Sequence, residues 1–291
     1  TTLADYRDER LRKLEEIRAR GIDPYPAKSH RNTKISTILN HFDEKDGQEV
    51  VVAGRIMAIR SFGKLAFVKI RDYTGEVQIF MEKTDQVEDG HFSVKELKLL
   101  DTGDFIEAAG RVGKSSTGEI SVFSNQVRLL TKSLRPLPGH DGFKNKEERY
   151  RRRYVDMNVN PEVRERLVRR SKFWQATRNF MNSKGFIEVN TPVLELTTGG
   201  ADATPFTTHM DALDIDYYLR ISQELPLKRL LGGGFEKVYD IGPRFRNEGV
   251  DDEHLPEHIA FESYAAYENY EDGMALYEEM IKYVAKETWG T

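Results

Sequence analysis

Two stretches decide how the C-terminal half folds: Lys237-Val238-Tyr239-Asp240-Ile241-Gly242-Pro243-Arg244-Phe245-Arg246 and His258-Ile259-Ala260-Phe261-Glu262-Ser263-Tyr264-Ala265-Ala266-Tyr267. In the first, one parity carries Tyr239, Ile241, Pro243 and Phe245, and the other carries Asp240, Gly242, Arg244 and Arg246. In the second, Ile259, Phe261, Ala265 and Tyr267 share one face, opposite His258, Ala260, Glu262, Tyr264 and Ala266. Successive strand side chains point to opposite faces, so each stretch has an apolar side to bury and a polar side to display. Residues 247–257 are long enough to join the two as an antiparallel hairpin. The expected product is a sheet with one face covered by helices and the other displaying Arg, Glu, His and Tyr. A half-exposed sheet gives the same alternation with its polar groups merely facing water. The content of this polar face points further. Arginine offers a planar fork for phosphate or carboxylate oxygens, and paired carboxylates suit an ammonium group.

Upstream, Glu162 to Lys184 is helical in period, with Val163, Leu167, Val168, Phe173, Trp174, Ala176, Thr177, Phe180 and Met181 recurring at three and four. Gly185 stops it, and Phe186-Ile187-Glu188-Val189 follows as a strand running into Thr191-Pro192. Short strands, a helix near Glu224 to Leu231 and an amphipathic helix over Asp272 to Glu287 complete this half.

Between Val50 and Leu130 the period is two. Val50–Gly54, Leu65–Ile70, Val77–Phe80, Phe105–Gly110 and Ile120–Phe123 are five strand candidates, separated by glycine-bearing turns and by a helical insert around Val94 to Leu100. Five strands with a helix after the third is the order of an OB-fold barrel, whose strand 2–3 face binds oligonucleotides or sugars. Before the barrel, residues 3–19 read as a helix with Leu3, Leu11, Leu14 and Ile17 near one face and Thr2 with Asp5 as a partial cap. After it, Leu134-Arg135-Pro136-Leu137-Pro138-Gly139 reads as extended linker. The expected fold class is α+β. Residues 1–133 form a helix plus barrel, 134–160 a linker, and 161–291 an antiparallel sheet with flanking helices.

The 291 residues carry 44 Lys and Arg against 48 Asp and Glu, a formal charge of −4, which excludes a uniformly polybasic binder. The near-balance conceals polarity. Residues 144–172 hold eleven basic and five acidic side chains, whereas 247–291 hold two Lys and twelve acidic ones. With no cysteine, disulfides, thiolate metal sites and thiol nucleophiles are excluded, and a reducing compartment is compatible. No stretch approaches the ~18 uninterrupted apolar residues of a membrane span, and residues 1–5 lack the features of a signal peptide. The expectation is a cytoplasmic protein without membrane contact.

Phe245-Arg246-Asn247-Glu248-Gly249, then His254-Leu255-Pro256-Glu257 and Glu262-Ser263-Tyr264, resemble motif 2 of class II aminoacyl-tRNA synthetases, and Gly185 to Pro192 resembles motif 1. With an N-terminal barrel this is the class IIb layout. The lysyl-tRNA synthetase family is most similar, through Gly21-Ile22-Asp23-Pro24-Tyr25-Pro26, Arg152-Arg153-Tyr154-Val155-Asp156, Thr198-Gly199-Gly200-Ala201, Ala212 to Ile221 and Leu227-Lys228-Arg229-Leu230.

The resemblance implies activation of lysine with ATP and Mg²⁺ and its transfer to tRNA. Arg246 would clasp the α-phosphate and the lysine carboxylate, next to Glu262 and Glu224, stabilising the charge of in-line attack. Glu248, His254 and His258 would hold the rest of ATP, with His258 standing where lysyl enzymes carry an aromatic residue against adenine. Glu224 would accept the α-ammonium, Gly200 would let the ligand backbone approach, and Glu262 and Tyr264 would line the amino-acid pocket. Pro192 would sit in a homodimer interface. On the barrel, Arg60, Phe67, Gln78 and Glu119 fall where class IIb enzymes read the anticodon, with a place in the barrel core as the alternative for Phe67.

No metal ligand is assigned in this chain. Nothing after Glu262 resembles motif 3, so the expectation is a catalytic unit that is incomplete by itself. The alternatives are a synthetase-like RNA-binding module without catalysis, and an aspartyl or asparaginyl specificity, toward which Gln223-Glu224-Leu225 leans and against which Leu227 to Leu230 weighs.

Overall fold

A computed structural model describes residues 2–139, 143–251 and 253–290, which divide into two compact units, Thr1–Asn160 and Pro161–Thr291. In the first unit, helix α1 (Leu3–Ala19) opens on a complete capping box: Thr2 Oγ1 accepts from the Asp5 amide, and Asp5 accepts from the Thr2 amide. Two short helices follow, α2 (Ile35–Asn40) and α3 (Phe42–Lys45). The barrel strands are β1 (Glu49–Phe62), β2 (Leu65–Arg71), β3 (Glu76–Glu82), β4 (His91–Phe92), β5 (Phe105–Lys114), β6 (Ile120–Phe123) and β7 (Val127–Thr131).

The five expected strands correspond to β1, β2, β3, β5 and β6. They pair β1-β2-β3-β6-β5, and β5 returns to β1, so the sheet closes. The β3–β6 contact is parallel and the other four are antiparallel. That is the OB-fold closure, with a 3₁₀ turn over Val94–Leu99 after the third strand. The two additional strands, β4 and β7, extend the sheet beyond β5. Alternation along β2 buries Ala66, Val68 and Ile70 inside and leaves Phe67 and Lys69 outside.

Helix α1 docks differently from its leucine pattern. Leu14 and Ile17 are buried, but Leu3 is exposed, and the third buried residue is Arg10. Its guanidinium donates to the carbonyls of Thr102 (2.9 Å), Ser133 (3.0 Å) and Arg135 (3.2 Å). One rigid guanidinium fork thus satisfies three loop carbonyls, so an apparently charged face turns inward.

Residues 134–160, expected as linker, group with the first unit and carry helices α4 (Lys146–Arg151) and α5 (Arg153–Val159). Asp156 is fully buried there and accepts from Arg149, Arg153 and Asn160. Those arginines belong to the basic run. Part of that run therefore neutralises an internal carboxylate, which no charge count separates from a solvent-facing stripe.

The second unit begins with α6 (Pro161–Ser183), then β8 (Ile187–Glu188), β9 (Leu194–Glu195), β10 (Thr207–Met210), β11 (Ile215–Leu219), α7 (Glu224–Gly232), β12 (Lys237–Phe245), β13 (Glu257–Ala265) and α8 (Tyr270–Trp289). The hairpin forms as the alternation requires, with Asp240 opposite Glu262 and Arg244 opposite His258. β8 adds to it in parallel, making a mixed sheet ordered β13-β12-β8, while β10, β11 and β9 make a separate small sheet. The apolar face packs under α6 and α8. Tyr239, Phe180, Met181, Phe186, Met280 and Val284 form the core, with Ile241, Phe261 and Ala265 against it. Each such side chain contributes roughly 1.5–3 kcal/mol of transfer free energy when fully buried. The opposite face is thereby free for chemistry.

Candidate active site and nucleic-acid interface

Glu262 is the hub of the polar face. Its carboxylate accepts from Ser222 Oγ (3.0 and 3.2 Å), the Gln223 amide (3.3 Å), Arg244 Nη1 (3.3 Å) and Tyr264 Oη (3.4 Å). Ser222 Oγ also accepts from the Glu224 amide at 3.0 Å, so one hydroxyl links the Glu224 position to Glu262. Gln223 is fully buried, and its amide nitrogen donates to the carbonyls of Gly242 (3.3 Å) and Ala260 (3.4 Å), fastening the start of α7 beneath the hairpin. Burial raises the Tyr264 phenol pKa, and the nearby charges of Glu262 and Glu224 raise it further. The phenol is thus a neutral donor between two carboxylates.

Gly200 lies against this cluster. A Cβ there would stand 2.6 Å from Glu224 Cβ and 2.8 Å from Ser222 Oγ, and φ is +85°. Only glycine fits both the left-handed backbone and the close approach. The same loop continues to Thr204, whose carbonyl accepts from the Asn247 amide (2.7 Å) and whose amide donates to Glu248 (3.2 Å).

The arginine that reaches Glu262 is Arg244. Arg246, expected beside Glu262 and Glu224, lies past Phe245, the last residue of β12, and among the described residues it makes no hydrogen bond to either carboxylate. Its amide donates to the Pro256 carbonyl at 3.0 Å, and its buried Nε has no hydrogen-bond partner among the described residues. A buried donor without a partner is costly, and an anionic oxygen of a ligand would satisfy it. Arg246 acts electrostatically on Arg244 and His258, lowering both pKa values after burial has done so. Arg244 Nε donates to His258 Nε2 at 2.8 Å, which requires a neutral imidazole with its proton on Nδ1.

His254 is not gathered into this cluster. It sits on the connecting loop, exposed, with Nδ1 2.9 Å from Asp251. Glu248 is exposed and held by the Thr204 amide.

On the same face, Arg220 and Asp240 form a buried ion pair at 3.1 Å, with Thr191 hydrogen-bonded to both. Arg220 also donates to the Pro243 carbonyl at 2.7 Å. This network fixes the segment next to Pro192 to β12. Pro192 itself is exposed and lines a cleft of about 660 Å³ with Leu194, Tyr217, Pro226 and Leu230. Leu194 and Leu196 are exposed nearby.

In the first unit, a cleft of about 350 Å³ on the outer barrel face brings together Arg60, Phe67, Gln78 and Glu119, with Phe62, Lys69 and Thr117. Phe67 lies on this outer face, in edge contact with Phe62 (6.1 Å between centroids) and Phe80 (5.2 Å). Gln78 Nε2 donates to Ser121 Oγ at 3.0 Å. Aromatic faces flanked by Arg, Lys, Gln and Glu suit unstacked bases.

Sequence reasoning missed Arg244, Ser222 and the Gln223 amide as partners of Glu262. Arg244 shares its parity with Arg246, so that signal was present. Ser222 and Gln223 lie in a turn, where no periodicity marks a face. Among the described residues, no group of three or more His, Asp or Glu side chains is placed to hold a metal ion, and no helix is long and apolar enough to cross a membrane.

Comparison with known proteins adds to this geometry. A family profile described as tRNA synthetases class II (D, K and N) matches residues 145–291, and one described as OB-fold nucleic acid binding domain matches residues 50–130. A lysine–tRNA ligase of Pelotomaculum thermopropionicum is 49% identical over 283 residues, covering 97% of this chain and 55% of the relative. Those of Clostridium novyi and Dehalococcoides mccartyi are 45% and 46% identical over 285 and 289 residues, with 55% and 57% of their lengths covered. The chain thus spans just over half the length of these relatives.

Proposed function

This chain belongs to the class II tRNA synthetases of the D, K and N group, and on that premise we propose that it carries the amino-acid pocket and anticodon barrel of a lysine–tRNA ligase. The observation that carries the reading is the convergence of Glu224, Glu262 and Tyr264 through Ser222 Oγ beside Gly200. Two carboxylates and a neutral phenol form an acceptor-rich pocket for ammonium groups. An aspartate or asparagine side chain would meet like charge or excess acceptors there, so the aspartyl and asparaginyl alternatives are disfavoured.

In this reading Arg246 offers its unpartnered Nε to an ATP phosphate oxygen or to the lysine carboxylate, lowering the cost of the charge that develops between them. His258 offers a planar, uncharged imidazole to stack on adenine, and Glu248 and His254 close the nucleotide end. Mg²⁺ supplies neutralisation of phosphate charge when bound with ATP, and the described residues give it no ligand set. Arg60, Phe67, Gln78 and Glu119 receive anticodon bases in the barrel cleft, which also suits the alternative of RNA binding without catalysis. Pro192 and the apolar surface around it form a homodimer interface, and the protein works in the cytoplasm.

The test is calorimetric binding of L-lysine, L-aspartate and L-asparagine, with anisotropy of a labelled lysine-tRNA anticodon stem-loop. Lysine-selective binding together with stem-loop binding supports the proposal. RNA binding without amino-acid binding favours the binding module, and aspartate selectivity overturns the lysine assignment.

A further inference from the structure

Glu224 is already engaged by a cation of its own helix. Lys228, one turn further along α7, places Nζ 2.6 Å from Glu224 Oε1 and 5.9 Å from the centroid of the Tyr264 ring. Each pocket carboxylate therefore has a resident cation, Arg244 for Glu262 and Lys228 for Glu224. The two differ in how firmly they are held. The Arg244 side chain is 26% exposed and is also bound to His258. The Lys228 side chain is 55% exposed, and its hydrogen bond goes to Glu224. Exposed pairs of this i,i+4 kind stabilise weakly, and a flexible lysine stem swings into water readily.

We infer that Lys228 is the displaceable counter-cation of the amine pocket, competing with the α-ammonium of the incoming amino acid for Glu224. The inference rests on reading Glu224 as the α-ammonium acceptor. Its consequence concerns selectivity. Lys228 neutralises Glu224 toward loosely held cations and yields to an ammonium anchored by a second contact at Glu262, because the anchored group arrives at high local concentration. Arg244, pinned on two sides, stays in place and sets the position of Glu262.

The experiment compares the chain with Lys228→Met by calorimetry, using L-lysine and 6-aminohexanoate, which keeps the carboxylate and distal ammonium but lacks the α-ammonium. Methionine is a strong helix former and the site is exposed, so α7 is retained, as circular dichroism will report. L-lysine is expected to bind the variant roughly two- to fivefold more tightly, the scale of an exposed ion pair, with 6-aminohexanoate unchanged. Unchanged or weaker L-lysine binding in the variant overturns the inference alone. So does an equal gain for both ligands, since that would be a general charge effect. Absence of L-lysine binding by the parent chain overturns the amine-pocket reading, and the inference with it.

Discussion

Arg244 reaches Glu262 along one face of the hairpin, Nη1 to Oε1 at 3.3 Å, although its cross-strand neighbour is His258. Between them on that face stand Gly242 and Ala260, directly paired and too small to block the guanidinium. The platform is therefore wired lengthwise, with one arginine holding an imidazole at one end and a carboxylate at the other.

Removing the charge at the hub tests this wiring. Glu262→Gln keeps the size and one acceptor but loses the charge-assisted bonds, each worth about 1.5–3 kcal/mol. L-lysine affinity is expected to fall roughly 10- to 100-fold by calorimetry, while stem-loop binding to the barrel is unchanged. Equal loss of both would mean global damage.

His258 should titrate low. Burial first, and Arg244 next, hold its pKa below the usual 6.5. The unfolded chain then binds the proton more readily, so this residue lowers stability as pH falls below about 6.5, progressively until the folded-state pKa is passed. Above 6.5 it contributes no such loss. NMR titration of the His258 ring should give a midpoint below 6.5, and a midpoint above 6.5 would contradict the Arg244 hydrogen bond.

The Arg220–Asp240 pair is a stability element. Asp240→Asn leaves a buried guanidinium without its counter-ion, and breaking such a pair costs about 3–5 kcal/mol. Both tryptophans, Trp174 and Trp289, lie in the second unit, so their fluorescence in urea reports that unit. The expected result is a large fall in the midpoint of that fluorescence transition.

On the barrel, Phe67→Ala should weaken stem-loop binding by about 1–3 kcal/mol, the value of one stacked base. Gln78→Ala should change which base is preferred more than it changes affinity. Because Phe67 lies on the outer face, its loss should leave barrel stability nearly intact, and a thermal midpoint lowered as for a core truncation would return it to the core.

Gly200→Ala combines positive φ with contacts that a Cβ cannot occupy. Displacement of Glu224 or Ser222 should follow, seen as weaker lysine binding accompanied by about 1–3 kcal/mol of destabilisation.

The sequence by itself determined five barrel strands, the long helices and the two faces of the hairpin, but not the short helices α2 to α5 or strands β4 and β7. Alternation at period two and recurrence at three and four are local consequences of which side of an element must leave water, and Tyr239, Ile241 and Phe261 could face only inward. It also supplied the barrel order, while the residues of the outer cleft came from the family resemblance and the side of the barrel on which Phe67 lies came from the structure. Tertiary structure alone decided which arginine meets Glu262, that Arg10 is buried under three carbonyls, and that Asp156 draws in two arginines of the basic run. Those outcomes depend on groups distant in the chain whose polar atoms must all find partners once water is removed, and no periodic pattern records the pairing of one donor with one distant acceptor.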